Sequence, residues 1–118
     1  MNESDDCIFC KLVKGQIPRT VIYEDQFTLA FANIYPETEG HTLVVPKQHF
    51  TNLIDCPSEI LGQIMNTVKR IAQNYPCSRI MQNNGSPLQT VFHLHFHIIP
   101  YDDKAPFFEY DRAHGQKD

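Results

Sequence analysis

The residues best equipped for chemistry are three histidines in the run His93-Leu94-His95-Phe96-His97-Ile98-Ile99-Pro100. Imidazole titrates near neutral pH and serves as nucleophile, acid, base or metal ligand. The spacing i, i+2, i+4 puts all three rings on one face of a strand and turns Leu94, Phe96 and Ile98 to the core. A helix would scatter them around its axis. At about 3.3 Å per residue the row is roughly 13 Å long, the reach of a short polyphosphate. One histidine on a half-exposed strand is ordinary. Three in strict alternation beside a core strand mark a functional row.

Cys7-Ile8-Phe9-Cys10 is the second candidate. The chain has four cysteines, but nothing in its polar, acidic first residues resembles an export signal, so disulfides are not expected. A redox pair would open a long helix after a strand. Here only Lys11-Leu12-Val13-Lys14 follows, with a stop at Gly15. Half of a zinc site fits better, because two thiolates two residues apart can share one ion. The other half must come from elsewhere, and the local sequence of His49 alone reads as a surface-loop histidine.

The 118 residues form a single domain, with a core over about 7–100 and a tail over 101–118. The chain is 42% hydrophobic and 20% charged, a soluble globular composition, and its net charge of −4 argues against non-specific nucleic-acid binding. No apolar run approaches the ~18 residues of a membrane span. The expected location is the cytoplasm.

These residues need elements to position them. Residues 19–23 read as a strand, 24–26 as a turn, and 27–32 as the returning strand of a hairpin, closed by Pro36. His41 to Pro46 reads as a third strand. Ile60, Leu61, Ile64, Met65, Val68, Ile71, Ala72 and Tyr75 lie at three- and four-residue steps, one apolar stripe on a helix over 57–74, with Asp55 or Cys56 at its start. Gly62 either weakens that helix or allows close packing. Residues 79–83 read as a fourth strand. Asn84-Gly85-Ser86-Pro87-Leu88 is a plain connection or a set of phosphate donors, and local sequence does not choose between them. Three aromatics, Phe107, Phe108 and Tyr110, suggest that the tail docks on its own domain or a partner, while His114 lies in a frayed end. Tight turns and one main helix give an antiparallel α+β domain. No glycine-rich phosphate loop is present.

The triad, with Cys7-Ile8-Phe9-Cys10, Ile17-Pro18, Tyr23-Glu24-Asp25, Gly40-His41-Thr42-Leu43-Val44-Val45-Pro46-Lys47, His49 and Gln89-Thr90-Val91, resembles the histidine triad (HIT) superfamily of nucleotide hydrolases and transferases. The likeness is to its small bacterial phosphoramidases and dinucleotide hydrolases, and it runs from Cys7 to Pro100. It implies a five-stranded antiparallel sheet, one long helix, a short N-terminal helix, and a homodimer. It implies attack by His95 on the α-phosphorus of a nucleoside phosphoramidate or dinucleoside polyphosphate, through a nucleotidyl-histidine. The His93 carbonyl would hold the other nitrogen of His95. His97 would contact the phosphate and leaving group, with His41 behind the row. Cys7, Cys10, His49 and His93 would hold a structural zinc. Asn33 would bind the ribose, and Asn83, Gln89 and Thr90 the phosphate or sugar. Ile8, Phe9, Leu12, Ile17, Phe31 and Ile34 would form an apolar pocket for the base, expected to be a purine.

Two other readings compete. One is a nucleotide-binding regulatory module with incidental turnover, which would need no nucleophile. The other is a metal-dependent hydrolase with the three histidines around an open zinc, but rings two apart on a flat strand face a substrate more readily than they converge on one ion.

Overall fold

The computed structural model describes residues 6–103. The expectations for Phe107, Phe108, Tyr110 and His114 lie outside the described residues.

Cysteine opens the first element. Cys7 caps helix α1 (Ile8–Val13), its Sγ accepting from the Cys10 backbone N–H at 3.3 Å. The expected hairpin follows as β1 (Val21–Glu24) and β2 (Thr28–Ala32). Asp25 makes the turn between them: its Oδ1 accepts from the backbone N–H groups of Phe27 and Thr28, at 2.9 and 2.8 Å. Strand β3 is Thr42–Pro46, the long helix α2 is Ser58–Ala72, β4 is Ser78–Met81 and β5 is Phe96–Pro100. All pairings are antiparallel, in the order β1-β2-β3-β5-β4. This is the five-stranded α+β architecture that the sequence predicts.

Side-chain alternation divides the buried residues between two faces. Ala30, Val44 and Ile98 pack with Ile64, Val68 and Ile71 of α2. Leu29, Phe31, Leu43 and Val45 pack with Phe9 and Leu12 of α1. A buried hydrogen bond, Thr28 Oγ1 to Thr67 Oγ1 at 2.7 Å, ties α2 to the edge of the first face.

Three expectations are corrected. The histidine strand is shorter than 93–100, since β-pairing begins at Phe96, and His93 and His95 lie in the approach to it. That approach is held instead by the Leu94 N–H, which donates to the Phe50 carbonyl at 2.7 Å. The alternation survives: Leu94 and Ile98 are fully buried on the α2 side, with Phe96 packed against them. Pro57, not Asp55 or Cys56, occupies the N-cap of α2, without a side-chain bond. Asp55 binds the Thr51 and Asn52 N–H groups of the preceding turn. The packing role for Gly62 fails, because a Cβ there would meet nothing within 4 Å.

Gly40, just before β3, has φ +92°, and a Cβ there would lie 2.9 Å from Tyr75 Oη and 3.2 Å from Pro100 Cγ. Two alanine substitutions should therefore act in opposite directions. Gly62→Ala should raise unfolding stability by about 0.5–1 kcal/mol, through helix propensity alone. Gly40→Ala should lower it by about 1–3 kcal/mol, through strain and crowding. Urea denaturation of both variants checks the pair, and a Gly40→Ala protein as stable as the parent would contradict the packing described.

Candidate functional site

Register brings the histidines together. His97 pairs with Leu43 across β3 and β5, so its ring lies on the α1 face of the sheet. His95, two residues earlier, shares that face, with ring centroids 5.2 Å apart. Phe9 of α1 meets His95 and His93 edge-on at 5.0 and 5.9 Å, and Phe31 of β2 at 5.6 Å. Thus α1 lies over the row.

Hydrogen bonds fix the tautomers. His95 Nδ1 lies 2.8 Å from the His93 carbonyl. A carbonyl can only accept, so Nδ1 carries the proton and Nε2 keeps its lone pair. Burial lowers the His95 pKa, opposed by the bond to that carbonyl. The Glu37 N–H donates to His41 Nδ1 at 3.1 Å, so the proton of neutral His41 is on Nε2. That nitrogen donates to His97 Nδ1 at 2.9 Å, which leaves the proton of His97 on its own Nε2. Burial, then the neighbouring His95 and His41, push the His97 pKa down to about 3. The ligand side of the row thus offers a lone pair on His95 and an N–H on His97.

A cavity of about 440 Å³ opens beside these two rings. Every residue expected around the base lines it: Ile8, Phe9, Leu12, Ile17, Phe31 and Ile34. Asn33 and Thr90 line it as well. The Asn33 Oδ1 accepts from the Tyr35 N–H at 3.0 Å, which turns the amide of a flexible side chain into a fixed group. Two expected contacts are not brought to this lining. Gln89, 3% exposed, is a brace: its Oε1 accepts from the Gly85 N–H, and its Nε2 donates to the carbonyls of Thr51 and Val91. Its donors are consumed in holding the loop 84–88 against the loop after β3. Asn83 lies just beyond β4, where its backbone carbonyl accepts from the Gln82 amide. The sequence reading missed Pro18, Arg19, Ala32, Tyr35, Leu43 and Val91, which also line the cavity. Pro18, Ala32, Tyr35 and Val91 were legible in principle, since each flanks a residue already assigned to the site.

Cys7, Cys10, His49 and His93 form a separate cluster, whose donor atoms all lie within 4.8 Å of one another. His93 Nδ1 is 3.3 Å from Cys7 Sγ and 3.4 Å from Cys10 Sγ, and His49 Nδ1 is 3.2 Å from Cys10 Sγ. Bonds of about 2.0–2.3 Å around a tetrahedral ion would space such atoms by roughly 3.3–3.8 Å. His93 Nε2 donates to the Pro46 carbonyl at 2.9 Å, which frees Nδ1 to act as a donor atom. Since His93 belongs to this cluster and His97 to the cavity, the three histidines of the row do not converge on one ion.

The chain as a whole is similar to known proteins. The HIT domain model matches residues 14–104. A HIT-like protein of Methanocaldococcus jannaschii is 43% identical over 100 residues, covering 80% of this chain and 78% of that one. An adenosine 5'-monophosphoramidase of Saccharomyces cerevisiae is 42% identical over 101 residues, covering 83% of this chain and 64% of that one. Among solved structures, a HIT family protein of Bacillus anthracis superposes with a TM-score of 0.80 at 40% identity, covering 87% of this chain and 79% of that one. A HIT family hydrolase of Clostridium thermocellum gives 0.79 at 32% identity, covering 88% and 97%. With the family model matching residues 14–104 and the fold agreeing over most of the chain, this protein belongs to the HIT family.

Proposed function

We propose that the chain hydrolyses nucleoside 5'-phosphoramidates, with a purine base, through a nucleotidyl-His95 intermediate. The observation that carries this reading is the His95 Nδ1–H bond to the His93 carbonyl, at 2.8 Å, on the wall of an apolar cavity. It leaves a neutral Nε2 as the nucleophile. Nε2 attacks the α-phosphorus, a new P–N bond forms, and the bond to the leaving amine breaks as that nitrogen takes a proton from water. The ring then carries positive charge, which the His93 carbonyl stabilises through Nδ1–H. Water attacks the phosphorus next, releasing the nucleoside monophosphate and restoring neutral His95. His97 donates Nε2–H to the phosphoryl group, backed by His41 and the Glu37 N–H. The yeast relative named as an adenosine 5'-monophosphoramidase supports the reaction class. A regulatory module would need the cavity but no lone pair aimed at a phosphorus.

We include a structural zinc in this reading, held by Cys7, Cys10, His49 and His93. Its support is the spacing of the donor atoms and the completeness of the set, two thiols and two imidazoles. The ion would supply cross-linking rather than chemistry. Metal analysis of protein purified without chelator should find about one zinc per chain. Cys10→Ser should lose it and melt at lower temperature. A metal-free protein with unchanged melting after exhaustive chelation would remove zinc from the account.

Protonation supplies a second test. His97 resists its proton in the folded state but accepts one near pH 6.5 when unfolded. The unfolded chain therefore binds more protons below that pH, and stability falls as pH drops from about 6.5 towards 3. His97→Asn should flatten the stability profile between pH 6 and 4.5, by up to about 1.4 kcal/mol per pH unit. Equal slopes for the two proteins in chemical denaturation would show that His97 takes up its proton without unfolding.

The nucleophile is tested by separating the histidines. His95→Asn should keep its fold and bind nucleotide, with turnover of a purine phosphoramidate reduced at least ~10⁴-fold. His97→Asn should slow turnover and leave measurable activity. Acid-quenched parent protein should carry one nucleoside monophosphate on the peptide containing His95. An adduct on another histidine, or near-parental turnover by His95→Asn, would overturn the mechanism.

A further inference from the structure

The lining of the base cavity is apolar or neutral apart from one cation. Arg19 lines it, although nothing in hydrophobic packing calls for a guanidinium there. Its Nε is buried and makes no hydrogen bond. Buried donors without partners are rare in folded proteins and ask for an explanation.

Two structural contacts lie near the guanidinium, and neither gives its Nε a hydrogen bond. The first is the end of α1, since a Cβ on Gly15, just past the helix, would sit 3.2 Å from Arg19 Nη1. The carbonyls there accept from the backbone, that of Cys10 from the Lys14 N–H, that of Lys11 from the Gln16 N–H and that of Leu12 from the Gly15 N–H. The second is Glu24 on the adjoining strand, where Arg19 contributes charge but the 2.9 Å pair is made by Lys47. Arg19 also stands two residues before Val21, which pairs with Phe31 of the cavity wall. Extended backbone returns a side chain to the same face every second residue, so the chain aims Arg19 at the face on which the base would lie.

We propose that Arg19 selects the base, reading the edge of a 6-oxopurine (guanine or hypoxanthine) in preference to adenine. This rests on the nucleotide reading above. A purine held by its faces between Phe9, Phe31 and the aliphatic wall leaves its edges for polar contacts. Guanine and hypoxanthine present N7 and O6, two adjacent acceptors that match the donor fork of a guanidinium. Adenine presents N7 beside an amino group, which sets donor against donor.

Calorimetric titration of the full chain with GMP, IMP and AMP tests this, in parent, Arg19→Met and Arg19→Lys proteins. Methionine keeps the apolar stem and removes the donors. The parent should bind GMP and IMP on the order of tenfold more tightly than AMP, and Arg19→Met should bring that ratio close to one. Arg19→Lys, with a charge but no fork, should recover little of it. Overturning results are AMP bound as tightly as GMP by the parent, or a GMP preference that survives in Arg19→Met. A uniform loss for all three nucleotides in Arg19→Met would also overturn it, since Arg19 would then act on the phosphate or the fold. Preference for GMP over IMP and AMP alike would place discrimination at the 2-amino group and sink the proposal. Binding of none of the three by the parent would remove the nucleotide reading and this inference together.

Discussion

Everything at the site depends on how His93 is held. Its backbone carbonyl fixes the tautomer of His95, and its ring lies between Cys7, Cys10 and the Pro46 carbonyl. Moving His93 would therefore disturb two things together. The acceptor for His95 Nδ1 would shift, and so would the anchor of α1, whose Phe9 and Leu12 form the cavity wall. The residue is fully buried, so water cannot substitute for any of these partners. A buried polar group keeps one geometry only while each of its bonds is met.

The sheet makes such an arrangement affordable in stability. Its α2 face carries no polar site residue of the row and is packed by Ile64, Val68, Ile71 and Leu94. The opposite face can then accept four histidines without leaving the strands unsupported. Edge and centre also differ in use. β3 and β5 are paired on both sides; β5 supplies His97, and His41 is the residue that leads into β3. β1 is an edge strand, and the approach to it supplies Arg19, on the lining of the apolar cavity.

The sequence made much of this legible, for identifiable reasons. Periodicity is a local signal, so α2 and the hairpin were found to within two or three residues. The six apolar residues assigned to a base pocket through the family resemblance line one cavity beside His95 and His97. Asn83 and Gln89 were assigned by the same route and are not brought to the lining, because a side-chain amide binds whichever partners surround it. In Gln89 these are Gly85, Thr51 and Val91, and Thr51 is set by tertiary packing that the local sequence does not encode. The length of the histidine strand was overestimated because alternation of residue types does not require ladder pairing. Phe92 to His95 keep the alternation while their neighbours come from the loop after β3. Arg19 was passed over because an arginine at the start of a predicted strand carries no local sign of facing a cavity. Its place on the lining and its unpaired buried Nε distinguish it.

The polarity of the row follows from its two ends. At one end a carbonyl, that of His93, compels His95 to donate inward through Nδ1. At the other a backbone N–H, that of Glu37, compels His41 to accept, and His41 passes that polarity to His97. Two adjacent imidazoles of the same chemistry are thereby set in opposite senses, one presenting a lone pair and the other a proton. A phosphoryl group needs this pairing, since its phosphorus is electrophilic and its oxygens are acceptors. Burial holds both rings neutral, and that matters as much as the bonds do. In the proposed reaction a protonated His95 would have no lone pair to use, and a second positive ring 5.2 Å away would oppose the charge that His95 gains on attack. The low pKa of His97 is thus a condition for setting a lone pair and a donor side by side in this buried row.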